Sequence, residues 1–443
     1  MAGEKEPPSG MGVLFLVVLI DLIGFTLVIP FRTYFVQDLA TGDGFTEIGE
    51  RDLWVGIMLA AYTFGQFLFT PILGSLSDRM GRRPIIMFGL ISNTIFFIAF
   101  GLSGSLWFAL IVRFLAGAGN GNIAVARAYI GDISTPAQLK GRMGMIGAAF
   151  GLGFMVGPFL GGVLTDPYTN FGGVFFTTWW QNHPYFLPCL VAGVLSAISF
   201  VLAIRQLPES LPPESRTKIE RKGNFLNQIK SNLVGLRDLS ASVRILIIVN
   251  SLFLIAFTIM HTTFILFTAM PIEQGGLGFD ARSNGYIFAF VGFVGVLVQG
   301  GFMRSAIAER MDTRKMMIFG ILVCGLGLGW IPYLTPEPYI LVLLPMAFIA
   351  LGNGLFQPSQ TTLVTLEARA SKLDLGRVMG AQEGYGALSR IVGPILAAFV
   401  WAETVNGSGF WTYHTVFRLS CFLTIVAVAA QISLKLNSTQ EDE

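Results

Sequence analysis

Long apolar runs alternate with short polar connections along the chain, and their spacing sets the architecture. Runs of the roughly 20 residues needed to cross a bilayer recur near 12–36, 54–74, 85–104, 106–128, 143–165 and 184–205. A polar stretch from 206 to 243 follows, and six more runs lie near 244–270, 283–303, 316–334, 338–361, 378–402 and 413–435. The pattern predicts an all-α integral membrane protein of twelve transmembrane helices, helix 1 to helix 12, in two six-helix halves, 12–205 and 244–435. Residues 1–11 and 436–443 read as tails. Pro, charge and polarity make 206–243 a linker, whose basic middle part suits a helix lying along the membrane surface.

Composition agrees with this class. The 443 residues are 53% hydrophobic and 13% charged, with a mean hydropathy of +0.66, outside the range of soluble domains. The first run is about twice the length of a signal-peptide core and lacks a small-residue cleavage site, so it is read as a permanent span. A net charge of +2 argues against a nucleic-acid partner.

The distribution of basic residues predicts orientation, because they accumulate in short cytoplasmic loops. The tails and the connections after helices 2, 4, 6, 8 and 10 carry about 22 of the 29 Lys and Arg, against about three, Arg32, Arg51 and Arg282, on the other side. Both termini are therefore expected in the cytoplasm. The three cysteines sit singly inside apolar runs with no metal-ligand spacing, so Cys189, Cys324 and Cys421 read as inert packing or lipid-facing residues and no metal is expected. No phosphate loop, HExxH or GxSxG arrangement is present, so neither an enzyme nor a cofactor is expected.

Ionisable residues within spans carry the candidate chemistry, since a mid-membrane charge costs roughly 2.5 to 3.5 kcal/mol on the insertion scale. Asp21 lies in VVLIDLIGFTLVIP of helix 1, where it serves either proton or cationic-substrate binding or a buried structural pair with an arginine. Arg113, Asn120 and Arg127 recur at spacing seven and share a face of helix 4, predicted polar from top to bottom. On helix 11, Glu383 and Arg390 share a face two turns apart, as a structural ion pair or as two ends of a link through an intervening group. His261 in helix 7 is either a proton relay or a hydrogen-bonding packing residue. Gln66, Asn250, Asn353 and Gln357 are uncharged candidates for the same cavity, with Tyr62, Phe64, Phe356 and Tyr385 as aromatic walls.

Between helices 2 and 3 stands GSLSDRMGRRP, with a looser echo, SAIAERMDTRK, between helices 8 and 9. Its arginines, Arg79, Arg82 and Arg83, set topology; Gly74 and Gly81 are read as permitting close approach and a tight turn. Asp78 is either one charge of a basic loop or a latch onto the positive N-terminus of another helix, helix 11 near Arg377. The echo keeps Glu309 but has Ser305 and Asp312 where the first copy has glycines, so the tighter lock is expected in the first half. In helix 5, Gly153, Gly157 and Gly161 recur every four residues, as do Gly147 and Gly151, giving strips for close helix packing, with Pro158 adding a kink.

GSLSDRMGRRP resembles the signature loop of the major facilitator superfamily. RFLAGAGNGN (113–122) is similar to that family's fourth-helix motif, and YIGD (129–132), ending in Asp132, to its acidic end. GLGFMVGPFLGG (151–162), with Gly157, Pro158, Gly161 and Gly162, resembles the fifth-helix motif of proton-driven drug exporters. GNGLFQPSQ and GALSRIVGP look like counterparts in the second half. The resemblance implies a central cavity lined by helices 1, 4, 7 and 10, where Arg113 pairs with Asp21 or holds an anionic group, and a gate that includes Arg127 and Asp132.

The implied function is secondary active transport: proton-coupled efflux of a small amphipathic or drug-like compound by alternating access of two halves. Its partners would be that substrate, protons and the lipid bilayer, in a monomer of the cell membrane or of an organelle. The alternatives are a symporter or uniporter of a sugar, organic acid or other metabolite, and a non-transporting receptor or scaffold. The resemblance is nearest to tetracycline and multidrug antiporters, but tetracycline members carry an acid in helix 9 and a histidine in helix 8, and this chain has neither.

Overall fold

The computed structural model describes residues 10–171, 173–216, 239–373 and 375–434. Tail residues 1–9 and 436–443 and the basic middle of the linker, 217–238, lie outside the described residues. All regular structure among the described residues is helical. Twelve helices are long and apolar enough to span a membrane: α1 (Gly10–Leu27), α2 (Ile48–Met80), α3 (Arg82–Gly101), α4 (Leu106–Ile133), α5 (Pro136–Leu164), α6 (Phe186–Gln206), α7 (Ala241–Ala269), α8 (Ala281–Gly301), α9 (Thr313–Trp330), α10 (Ile340–Ala370), α11 (Leu375–Thr404) and α12 (Thr415–Ser433).

Three boundaries differ from the hydrophobic pattern. The first run divides at Val28, after which a helix Ile29–Gly42 starts with Pro30 in its first turn, where a missing N–H costs nothing. The α2 helix continues through SLSDRM, so the expected loop between helices 2 and 3 shrinks to Gly81. The α4 helix is made of Leu106–Gly119 and Asn122–Ile133, with Asn120 leaving the helical region at φ −96°, ψ 81°. That break interrupts the polar stripe predicted through Arg113, Asn120 and Arg127: the first two are buried and Arg127 is exposed.

The chain folds into two compact units, each with a core of its own. Unit 1 comprises Met1–Asp43, Ala61–Lys222 and Asp280–Phe293. Its core gathers Leu14, Val18, Leu22, Ile86, Leu90 and Tyr129. The helix-5 glycines fit this unit together. A Cβ on Gly157 would stand 2.0 Å from Thr26 Oγ1, and one on Gly161 1.9 Å from Leu27 O, so α1 lies directly against α5. The Thr26 hydroxyl donates to Gly153 O at 2.8 Å across that seam. On another side of α5, a Cβ on Gly162 would meet Gly285 Cα at 3.0 Å, and one on Gly285 would meet Pro158 O at 2.7 Å, which brings the start of α8 against α5. The strip does not extend to Gly147, which has nothing within 4 Å. Gly74 likewise has nothing within 4 Å among the described residues, so the close approach expected of it is not seen there.

Unit 2 comprises Gly44–Ala60, Gly223–Phe279 and Val294–Glu443. The α9 and α10 helices pack through Gly320 and Gly352, where a Cβ on Gly352 would stand 2.5 Å from Gly320 O. The start of α2 lies in this unit against α11: a Cβ on Gly56 would stand 2.4 Å from Pro394 O, and the fully buried Trp401 donates its indole N–H to Asp52 at 2.9 Å.

Candidate functional site

In unit 1 a polar cluster is built from α1, α2, α3 and α4. Asp21 on α1 is 4% exposed and accepts from Asn93 Nδ2 of α3 at 2.6 Å and from Asn122 Nδ2 of α4 at 3.3 Å. Asn122 can reach it because α3 carries Gly89 there, where a Cβ would stand 1.9 Å from Asn122 Oδ1. Asn120, at the α4 break, donates to the Tyr62 hydroxyl at 2.7 Å, while its carbonyl accepts from Gln66 at 3.4 Å. The α2 and α4 backbones touch beside it, since a Cβ on Gly117 would stand 2.0 Å from Tyr62 O. Arg113 is 3% exposed, with its guanidinium 4.7 Å from the Tyr62 ring centroid and 5.1 Å from that of Phe100.

Two expectations change here. Arg113 makes no ion pair with Asp21; the carboxylate takes its hydrogen bonds from two asparagines, and the guanidinium takes aromatic faces. Its companion charge is Arg32, counted from the sequence as a loop residue of one face. It lies instead within the Ile29–Gly42 helix and is 4% exposed. Arg32 lies beyond the break at Val28, which the apolar pattern does not reveal. Asn93 was missed because one amide does not disturb an apolar run.

In unit 2 the predicted residues occupy α7, α10 and α11. Glu383 and Arg390 pair directly at 3.7 Å with no group between them, the Arg390 side chain 39% and the Glu383 side chain 62% exposed. Asn250 and Arg390 both approach Gly386, each with a nitrogen 3.7 Å from where its Cβ would be. Asn353 and Gln357 are half-buried, as is His261, whose ring stacks on Phe257 at 6.5 Å. Phe356 stacks on Phe253 at 3.9 Å. Cys189 and Cys324 are buried free thiols.

The signature motif forms a third cluster, in unit 1. Arg82 donates to Asp78 Oδ1 at 2.5 Å, Ser77 Oγ at 2.7 Å and Asp132 Oδ2 at 3.0 Å. Gly81 has φ +108°, and a Cβ there would stand 2.3 Å from Glu209 Oε2. Glu209 fills that space and accepts from the backbone N–H of Arg82 at 2.8 Å and of Arg83 at 3.3 Å, so an acid beyond α6 caps the N-terminus of α3. Gly81 thus serves both a positive φ and the admission of this carboxylate. Arg79 and Arg127 are exposed. In the echo, Asp312 occupies the position of Gly81 and caps α9 itself, accepting from Lys315 N at 2.7 Å. The Glu309 side chain, and with it the comparison of lock strength, lies outside the described residues.

Comparison with known proteins agrees with this architecture. The family model of the Major Facilitator Superfamily matches residues 14–394. The chain is similar to the class E tetracycline resistance protein of Escherichia coli, 24% identical over 412 residues that cover 93% of this chain and 92% of the relative. Among solved structures it resembles the human organic anion transporter MFSD10 (TETRAN), with a TM-score of 0.67, 21% identity and coverage of 97% and 100%. It also resembles a D-xylose-proton symporter, with a TM-score of 0.72, 14% identity and coverage of 97% and 98%. Twelve membrane-length helices and a family match over nearly the whole chain agree: this protein is a member of the major facilitator superfamily of membrane transporters.

Proposed function

We propose that the protein is a proton-coupled secondary transporter that exports a small amphipathic compound by alternating access. The observation that carries this reading is Asp21: a buried carboxylate in a span, held by two amide donors and by no cation. Such a group is costly as an anion in the membrane and loses that cost on taking up a proton. Protonation also weakens its grip on Asn93 and Asn122, so a proton at Asp21 changes what ties α1 to α3 and α4. A carboxylate already neutralised by an arginine would lack this sensitivity. The relative named for tetracycline resistance supports the efflux direction, as does the glycine-lined contact of α5 with α1.

In this reading both termini are cytoplasmic, the halves 12–205 and 244–435 work by alternating access, and the Asp78–Arg82–Asp132 cluster belongs to the cytoplasmic gate. His261, Asn353, Gln357, Glu383 and Arg390 are the second half's contribution to the cavity. The test is a screen of drug-like cations, lipids, sugars and organic acids for thermal stabilisation of the purified protein. The most stabilising compound is then added to proteoliposomes containing a pH-reporting dye. Compound-dependent proton movement opposite to the compound is expected; transport with no proton movement, or with the proton moving alongside, overturns the antiport reading.

A further inference from the structure

Two arginines in unit 1 have no counter-charge among the described residues. Arg32 and Arg113 are 4% and 3% exposed, and the Nε of each is buried without a hydrogen-bond acceptor. Neither has an ion-pair partner among the described residues. The one acid buried within α1, Asp21, is occupied by Asn93 and Asn122. A shared aromatic wall joins the two arginines: Arg113 lies over Phe100, Phe100 meets Phe35 edge-on at 5.1 Å, and Phe35 stands one turn beyond Arg32. Two like charges buried at one aromatic wall of a membrane protein are held apart from water at high cost unless something negative sits with them.

The orientation specifies what that is. Tyr62 and Phe100 rings lie against the Arg113 guanidinium, and its Nε edge is left without an acceptor. The edge of a guanidinium is the fork that binds two oxygens of one planar or tetrahedral oxyanion. A neutral compound would leave both charges unpaired and a cationic one would add a third, so the pair also discriminates against them.

We propose that Arg32 and Arg113 bind the oxyanion head of the transported compound, with the aromatic wall of Phe35, Phe100 and Tyr62 receiving an apolar body, so that this transporter carries organic anions. The inference rests on the transporter reading above and names its class of substrate.

The test uses the full-length protein in nanodiscs, with thermal unfolding measured at constant ionic strength. The probes are sodium 1-naphthoate, the isosteric 1-naphthamide, 1-naphthylmethylammonium chloride and sodium phosphate. Naphthoate is expected to raise the unfolding temperature while the amide and the ammonium do not. Arg32→Gln and Arg113→Gln should each weaken naphthoate affinity about tenfold or more, the loss typical of a charged hydrogen bond. Stabilisation by amide or ammonium equal to that by naphthoate, or none by naphthoate, overturns the proposal, and these wild-type measurements decide even where a variant fails to fold. Stabilisation by phosphate alone would show a site for a free inorganic anion and overturn the assignment to substrate. An undiminished naphthoate effect in both variants would place binding elsewhere. Naphthoate binding without gradient-driven movement would leave the anion site standing and count against transport instead.

Discussion

Arg83 and Arg314 make the same contact in the two halves of the chain. Arg83, near the start of α3, donates from Nη2 to Ile204 O at the end of α6; Arg314, near the start of α9, donates from Nη2 to Gln431 O at 2.7 Å and Leu434 O at 2.6 Å at the end of α12. Each satisfies carbonyls that a helix C-terminus leaves without partners and places a positive charge at the negative end of the dipole. The loops around them differ in sequence, so the recurrence of this bond supports an internal duplication. Replacing either arginine by Met should destabilise the protein by about 1 kcal/mol, read as similar drops in unfolding temperature. A drop confined to one variant would show that the two contacts are not equivalent.

The two copies solve the next capping problem differently, and that difference is testable. Gly81 leaves room for Glu209, whereas Asp312 supplies its own carboxylate. Gly81→Ala combines a left-handed backbone with a clash against Glu209 and should cost about 1–3 kcal/mol. Gly74→Ala, in open space, should be neutral or slightly stabilising. Thermal unfolding of the two variants side by side checks the contrast.

Glycines on α5 should divide in the same way. Gly161→Ala sets a methyl against a backbone carbonyl of α1 and is expected to cost about 1–3 kcal/mol; Gly147→Ala meets nothing and should be tolerated. Because the α1–α5 seam adjoins Thr26, one turn beyond Leu22, transport should fall in Gly161→Ala before the protein unfolds. Transport and melting curves for both variants decide this.

Trp401 and Asp52 form a buried hydrogen bond between side chains in unit 2, and Arg51 Nε holds the other carboxylate oxygen of Asp52 at 3.0 Å. Trp401→Phe keeps most of the packing and removes the indole donor to Asp52 Oδ2, which should cost about 1–3 kcal/mol. Asp52→Asn removes the same bond from the other side, together with the Arg51 ion pair, so in the Trp401→Phe background it should cost less than it does alone. A double-variant melting cycle measures the coupling; a simple sum of the two single effects would show that the bond contributes nothing.

The spans were legible because a run of apolar residues has one stable solution in a bilayer. Helix ends were not: SLSDRM looks like a loop by polarity, yet its backbone continues α2 to Met80. Asp21 and Arg113 stand out as charges in apolar runs, but the sequence leaves open whether they pair with each other, because which neighbour reaches a buried charge depends on helix packing. Gly89 admits Asn122, and the break at Asn120 turns α4, neither of which a seven-residue spacing reveals. Glu209 was hidden for the same reason: its partners are the backbone of Arg82 and Arg83, far away in sequence. Arg32 was misplaced because charge sorting treats any basic residue near a run's end as part of a loop.

Proton coupling through Asp21 is the central claim, and Asp21→Asn tests it most directly. Asparagine keeps the size of the carboxyl and one acceptor oxygen, with a donor in place of the other, so it resembles the protonated acid and cannot titrate, and binding of the compound chosen by thermal stabilisation should survive. Wild-type and variant proteoliposomes are loaded equally, and compound movement is followed with and without an imposed pH gradient. The account predicts that the gradient accelerates transport in wild type and has no effect in the variant. Equal acceleration in both would contradict it.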